Sequence, residues 1–276
     1  MTRRKFLATV GLGLAGSGIY ATAIEPQWLT LSRWTVPVKR GHTPPLKILH
    51  LSDLHASRVV SLDFIAAAVR KGLALGPDVI CLTGDFITRG YDKLDGYAEV
   101  LGRLARAAPT FACLGNHDGG AWAAQRRGYP TTHRVRELLA RAGVTLLHNE
   151  ATRLKVRGRP LTLIGLGDLW AGELQPALAF EGLTDEGATR LVLAHNPDAR
   201  TALREYAWDL LLCGHTHGGQ VKLPLLGPLL LPIRDRRFAE GLHPWEGRWI
   251  YVTRGVGNLH GIRFNCPPEI ALLIVA

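Results

Sequence analysis

Five short apolar runs each end, within a few residues, in a polar motif, and that repeated pairing most limits the folds open to this chain. Residues 46–51 lead into Asp53-Leu54-His55, 79–82 into Gly84-Asp85, and 111–114 into Gly115-Asn116-His117-Asp118. Residues 191–194 lead into His195-Asn196, and 210–213 into Gly214-His215-Thr216-His217. Apolar runs this short, bounded by turn residues, read as buried strands. Helical patterns stand between the first of them, over 61–75 and 94–107. Ser61 can cap the first helix, Phe64, Ile65, Ala68, Val69 and Leu73 share one face, and Gly76-Pro77 stops it. The βαβαβ alternation implies a largely parallel sheet covered on its faces, with the motifs gathered at one rim, where open α/β sheets carry their sites.

A further helix over 134–142 ends at Gly143 and leads into a strand at 144–147. Residues 153–156 and 161–166 alternate around Arg157-Gly158-Arg159-Pro160 and read as a hairpin, with later strands at 249–253 and near 270–275. Strands this close together, with little helix between some of them, imply a second sheet. The expected fold is therefore α/β, a four-layer αββα sandwich of two mixed sheets flanked by helices. At 276 residues, 47% hydrophobic and 20% charged, the chain is long and apolar enough for one large core, which excludes the disordered and fibrous classes. No repeat or linker divides 46–276.

The motifs supply two carboxylates, one amide and four imidazoles to one rim. Two divalent cations about 3.5–4 Å apart need a shared carboxylate and several neutral or anionic donors each, and a mixture of imidazole and carboxylate suits Mn, Zn or Fe better than Mg or Ca. The bland alternative makes the same residues caps and turn formers. Cys81, Cys113, Cys213 and Cys266 show none of the spacings of zinc or redox sites and read as buried free thiols.

In this order the motifs resemble those of the calcineurin-like metallophosphoesterase superfamily: DxH, GD, GNHD or GNHE, a lone His, and GHxH. The resemblance implies that Asp53, His55 and His217 bind a first metal, that Asn116, His195 and His215 bind a second, and that Asp85 bridges them. Such a pair activates water and neutralises phosphoryl oxygens. His117 directly follows a ligand, so it is placed to protonate the leaving oxygen, with Asp118 either orienting it or serving the turn. Gly218-Gly219-Gln220, Arg254-Gly255-Val256-Gly257-Asn258 and the stretch from Arg263 to Glu269 look like the bacterial branch of signal-bearing or membrane-associated phosphodiesterases that includes UDP-2,3-diacylglucosamine pyrophosphatases of lipid A synthesis. On that reading Gly218 and Gly219 give backbone donors to the substrate phosphate and Arg254 and Arg263 clamp it. A glycine turn and surface arginines account for the same letters.

The formal charge of +10 favours anionic partners. No Lys/Arg block with interleaved aromatics is present, so no specific nucleic acid is expected. The N-terminus, Thr2-Arg3-Arg4-Lys5-Phe6-Leu7 followed by an uncharged stretch over 6–24 containing Gly11, Gly13, Gly16 and Gly18, resembles a twin-arginine signal with a cleavage site after Ala23. The expected organisation is residues 1–23 as signal peptide or N-terminal anchor, 24–45 as linker and 46–276 as the metallophosphoesterase domain. Nineteen uncharged residues reach about 28 Å, close to a bilayer core, so the segment suits retention as an anchor as well as removal. Trp28 and Trp34 with Arg33, Lys39 and Arg40 would suit an interfacial stretch. Export by the Tat translocase places the protein in the periplasm, outside the cytoplasm or anchored at the membrane surface. A nucleotide-linked substrate instead requires an inward-facing anchor.

Two loops complete the reading. Residues 119–130, with Trp122, Arg126 and Arg127, form a lid over the substrate or an ordinary surface loop. Residues 223–232, with leucines around Pro224, Pro228 and Pro232, form an apolar lip for a membrane or acyl chain, or else pack in the core. The expected function is hydrolysis of phosphodiester or pyrophosphate bonds in a lipid-linked or envelope substrate by a dinuclear metal site. The alternatives are a phosphomonoesterase or phosphoprotein phosphatase, and a non-catalytic envelope-binding protein with a structural metal site.

Overall fold

The computed structural model describes residues 2–5, 15–38, 44–184 and 187–276. Residues 6–14 of the uncharged stretch, with Gly11 and Gly13, lie outside them, as do Lys39 and Arg40. Two mixed sheets stack face to face. The first contains β1 (Thr30–Val36), β2 (Leu46–Leu51), β3 (Val79–Thr83), β4 (Thr110–Cys113), β5 (Thr145–Leu146) and β14 (Glu269–Val275), in the order β1-β14-β2-β3-β4-β5. β2 to β5 run parallel, and β14 is antiparallel to β2. The second sheet contains β6 (Glu150–Val156), β7 (Arg159–Gly165), β8 (Thr189–Leu193), β9 (Leu210–Cys213), β12 (Gly241–Trp245) and β13 (Arg248–Val252), in the order β12-β13-β9-β8-β7-β6. A small separate hairpin pairs β10 (Lys222–Leu223) with β11 (Gly227–Pro228).

Three apolar layers hold the sandwich together. Side chains such as Ile48, Val79, Leu163, Leu191, Leu212 and Leu273 interlock between the sheets. Helices Leu62–Leu73, Leu94–Ala107 and His133–Arg141 cover the outer face of the first sheet. Short helical turns, Pro176–Ala179 and Pro197–Leu203, cover the second. The first helix starts as its sequence predicts: the Ser61 hydroxyl accepts the Phe64 N–H at 3.2 Å, and Ile65, Ala68 and Val69 are buried against the sheet. Burying side chains of the size of Ile65 and Val69 contributes about 1.5–3 kcal/mol each.

The segment 24–45, expected as a linker, is corrected by β1, which pairs in parallel with β14 along the sheet edge from Thr30↔Glu269 to Val36↔Val275. Only Val36 of this strand is buried. A half-exposed edge strand carrying Arg33 has none of the continuous apolar character of a central strand, so its sequence gives little sign of pairing. Residues 15–27 are helical. Among the described residues no helix is long and apolar enough to cross a membrane.

The sandwich places the C-terminal ends of β2, β3, β4, β8 and β9 along one rim. Each of the five polar motifs begins within two residues of one of those ends.

Candidate metal centre

Five of the seven residues expected to bind metal have left-handed backbones: Asp53, His55, Asp85, His215 and His217, with φ between 48° and 70°. Non-glycine residues adopt that conformation rarely, at a cost of order 1–3 kcal/mol each, and such strain collects at functional sites. Tight turns off the strand ends impose it. The turns also demand glycine beside them: a Cβ on Gly115 would meet the Asp85 carboxylate and the His195 ring, and one on Gly214 would meet Ser52 and Asp53.

The structure gathers six of the seven side chains in two overlapping clusters, and the seventh, Asn116, lines the cavity above them. In one, His55 Nε2 lies 3.1 Å from His217 Nε2, while Asp53 Oδ1 lies 3.3 Å from His217 Nε2 and 3.9 Å from His55 Nε2. In the other, His195 Nε2 lies 3.1 Å from His215 Nδ1. Asp85 Oδ2 joins the two, 3.4 Å from His55 Nε2 and 3.1 Å from His195 Nε2. Donors held about 2.0–2.2 Å from a common ion stand roughly 3.0–3.5 Å apart, so both clusters have the spacing of a coordination shell.

The chemistry of the donors fits a cation as well. The Thr83 carbonyl can only accept, so the 2.7 Å contact from His195 Nδ1 places a proton there and leaves Nε2 facing Asp85. Burial lowers the pKa of this ring, but Asp85 raises it well above the usual imidazole range, so a cation taking Nε2 would displace a proton. Burial pushes His55 and His215 down to about 3 and His217 well below the usual range, so these rings present lone pairs at neutral pH. Burial raises Asp85, but His195 and His117 outweigh it and hold the carboxyl well below its usual range. Asn116 Oδ1 is buried without a hydrogen-bond partner among the described residues, which is costly for an amide oxygen unless a cation faces it.

These residues floor a cavity of about 390 Å³ lined by Asp85, Asn116, His117, His215 and His217. It shares Thr88, Arg89, Leu259 and His260 with a larger neighbouring groove of about 1040 Å³. His117 packs edge-on against Trp122, with centroids 4.8 Å apart, and Trp170 packs edge-on against His215 at 4.3 Å. The 119–130 segment thus forms one wall: Trp122 and Arg126 both line the cavity, with the Arg126 guanidinium 3.8 Å above the indole. Trp170, Arg89 and His260 were not anticipated. Trp170 had a usable signal, since it follows Asp168 just beyond the end of β7, the position the other motifs occupy on their strands.

Five expected roles do not match the geometry. Among the described residues no hydrogen bond joins the Asp118 carboxylate to the His117 ring. That carboxylate accepts the N–H groups of Asp85, Phe86 and Gly115 at 2.7–2.9 Å, and the His117 ring is oriented by the Thr88 carbonyl instead. The N–H of Gly218 bonds the Thr216 hydroxyl and that of Gly219 the Thr216 carbonyl, so neither is free for phosphate. Arg254 pairs with Glu240 and Glu269. Arg263 is fully buried, and its guanidinium donates to the carbonyls of Arg254, Gly255, Gly257 and Cys266. All of these side chains and amides are occupied in building the rim, and none of the four residues expected to hold phosphate lines the cavity.

Residues 46–219 match the family described as Calcineurin-like phosphoesterase. Over 276 residues the chain is 43% identical to phosphodiesterase YaeI of Escherichia coli, covering 99% of this chain and 98% of that protein. It is 30% identical to the UDP-2,3-diacylglucosamine pyrophosphatase LpxG of Chlamydia trachomatis, covering 92% of each. It is 31% identical to the uncharacterized metallophosphoesterase YkuE of Bacillus subtilis, covering 99% of this chain and 96% of that one.

Proposed function

The chain belongs to the calcineurin-like phosphoesterase family, and from that premise we propose that it hydrolyses phosphodiester or pyrophosphate bonds in a lipid-linked or cell-envelope substrate, of which UDP-2,3-diacylglucosamine is an example. One observation carries the reading: two donor clusters share Asp85 on the floor of a cavity that continues into a larger groove. Asp53, His55 and His217 would hold one ion and Asn116, His195 and His215 a second, with Asp85 between them and Mn, Zn or Fe as the ions. Such ions supply an activated water nucleophile and neutralise phosphoryl charge.

The chain's own residues do the rest. The Asp85 Oδ1 that does not face the histidines accepts the His117 N–H at 2.9 Å and fixes that residue over the cavity. With Nδ1 donating to the Thr88 carbonyl, Nε2 of His117 is the nitrogen left for the substrate, and the doubly protonated ring would give its Nε2 proton to the departing oxygen. Trp122 and Trp170 pack against each other and form one wall of the cavity.

A diester has two arms, and the groove gives the second arm space that a phosphomonoester would not use. Protein stripped of metal and reloaded with Mn or Zn should turn over bis-(p-nitrophenyl) phosphate faster than p-nitrophenyl phosphate. Preference for the monoester would overturn the diester assignment. The location proposed is outside the cytoplasm or at the membrane, reached through the Tat translocase, on the strength of the paired Arg3 and Arg4 and the uncharged stretch behind them.

A further inference from the structure

The β10–β11 hairpin exposes four leucines, Leu225 and Leu226 at its tip and Leu229 and Leu230 just after β11, which are 106%, 73%, 52% and 82% exposed among the described residues. Soluble surfaces rarely leave aliphatic side chains contiguous in this way unless they meet an apolar partner. The hairpin is fastened to the body at its base. Val221 pairs with Phe264, Lys222 N–H donates to the Phe264 carbonyl at 2.9 Å, and Arg236 donates to the Pro228 carbonyl. The backbone at Leu225, with φ 67°, turns this branched side chain into solvent.

What the tip meets follows from its neighbours. Residues 263–266, against which the hairpin pairs, also receive the end of the uncharged N-terminal stretch: Arg263 N–H donates to the Ala21 carbonyl at 2.9 Å, Tyr20 packs edge-on against Phe264, and the buried Glu25 carboxylate accepts the N–H groups of Asn265 and Cys266. A sequence of nineteen uncharged residues, close to a bilayer core in reach at about 28 Å, therefore meets the body beside the leucine tip. Exposed Ile19, Ile24 and Ile262 share this locality. The tip itself is purely aliphatic, while exposed Arg234, Arg236 and Arg237 follow directly behind it. Aliphatic matter with cations at its base matches hydrocarbon beneath anionic headgroups.

We propose that the hairpin at residues 222–232 dips its leucine tip into an anionic bilayer, next to the point where the N-terminal stretch enters it. Pro232, at the end of the same segment, lines the metal-bearing cavity, and Pro228 packs on Gly219, two residues after His217. The cavity mouth is thereby held at headgroup level. This deepens the lipid-linked reading of the substrate and rests on it for its purpose, yet its test reads no turnover.

The four native cysteines are buried, so full-length Leu226→Cys protein can be labelled at the tip with the fluorophore NBD. Mixed with vesicles of phosphatidylcholine and phosphatidylglycerol, the label should shift to the blue and be quenched by bromine-bearing acyl chains, but not by aqueous iodide. Phosphatidylcholine vesicles alone should give a weaker shift. Protein carrying Leu225→Asp and Leu229→Asp besides the labelled cysteine should lose acyl-chain quenching even while its N-terminal stretch keeps it on the vesicle. A label that stays open to iodide on bound protein, or is shielded without lipid by a second copy of the chain, would overturn the proposal. Equal insertion into both kinds of vesicle would overturn its anionic element. Because no hydrolysis is measured, a failure of the substrate reading leaves this result unaffected, and the reverse holds too.

Discussion

The Thr88 carbonyl oxygen lies 3.0 Å from Nδ1 of His117. A carbonyl only accepts, so the contact fixes one ring proton on Nδ1 and leaves Nε2, which carries the second proton in the imidazolium form, as the nitrogen available to the substrate. Loss of this ring removes proton donation to the leaving oxygen. His117→Ala should lower kcat by about 10²–10⁴ with metal content unchanged. The loss should be larger for an alkyl diester, whose leaving oxygen needs the proton, than for a p-nitrophenyl diester. Equal losses for both leaving groups in steady-state kinetics would remove His117 from the acid role.

Asp118 should behave as a structural residue. Its two oxygens accept three N–H groups from the turns that carry Asp85 and Asn116. Asp118→Asn turns an NH2 toward at least one of those donors and should cost about 1–3 kcal/mol in chemical denaturation, while the shape of the pH–rate profile is kept. Unchanged stability with a lost limb of the profile would restore a catalytic role.

His117 and Asp118 mark the limit of what a sequence makes legible. The five motifs, the central strands and the helix capped by Ser61 could be read because buried strands are continuously apolar and helices repeat at a fixed period. The meeting of the motif residues at one rim follows from a parallel sheet. What stayed hidden depends on contacts between distant segments. β1 pairs across more than two hundred residues with β14, and its half-exposed pattern resembles any loop. The uses of Asp118, Gly218, Arg254 and Arg263 are set by which backbone groups lie beside them, and no local pattern encodes that.

Arg263 supports the rim from within, since its guanidinium is the shared donor for the carbonyls of Arg254, Gly255, Gly257 and Cys266. Arg263→Met should destabilise the protein by about 3–5 kcal/mol through stranded carbonyls. At temperatures where the variant stays folded, KM for a diester should not change. A raised KM without loss of stability would point to a phosphate clamp.

His50 should make the protein sensitive to acid. It is buried beside Tyr251, with Nε2 2.8 Å from the Thr83 hydroxyl, and burial pushes its pKa from 6.5 down to about 3. The folded state therefore resists the proton that the unfolded chain accepts, so stability is full above about 6.5 and falls as pH drops toward 3. His50→Gln should flatten denaturation free energy against pH in that window by up to ~1.4 kcal/mol per pH unit. A slope identical to the parent's would contradict a neutral buried ring.

The central claim is that Asp85 joins two metal sites that together hydrolyse a phosphate ester. It is tested most directly on Asp85→Asn protein by elemental analysis of bound Mn or Zn alongside turnover of bis-(p-nitrophenyl) phosphate. The account predicts two ions per chain in the parent and fewer in the variant, with turnover reduced by more than ~100-fold, beyond the loss of an outer hydrogen-bond partner. Two ions retained with undiminished turnover would contradict it.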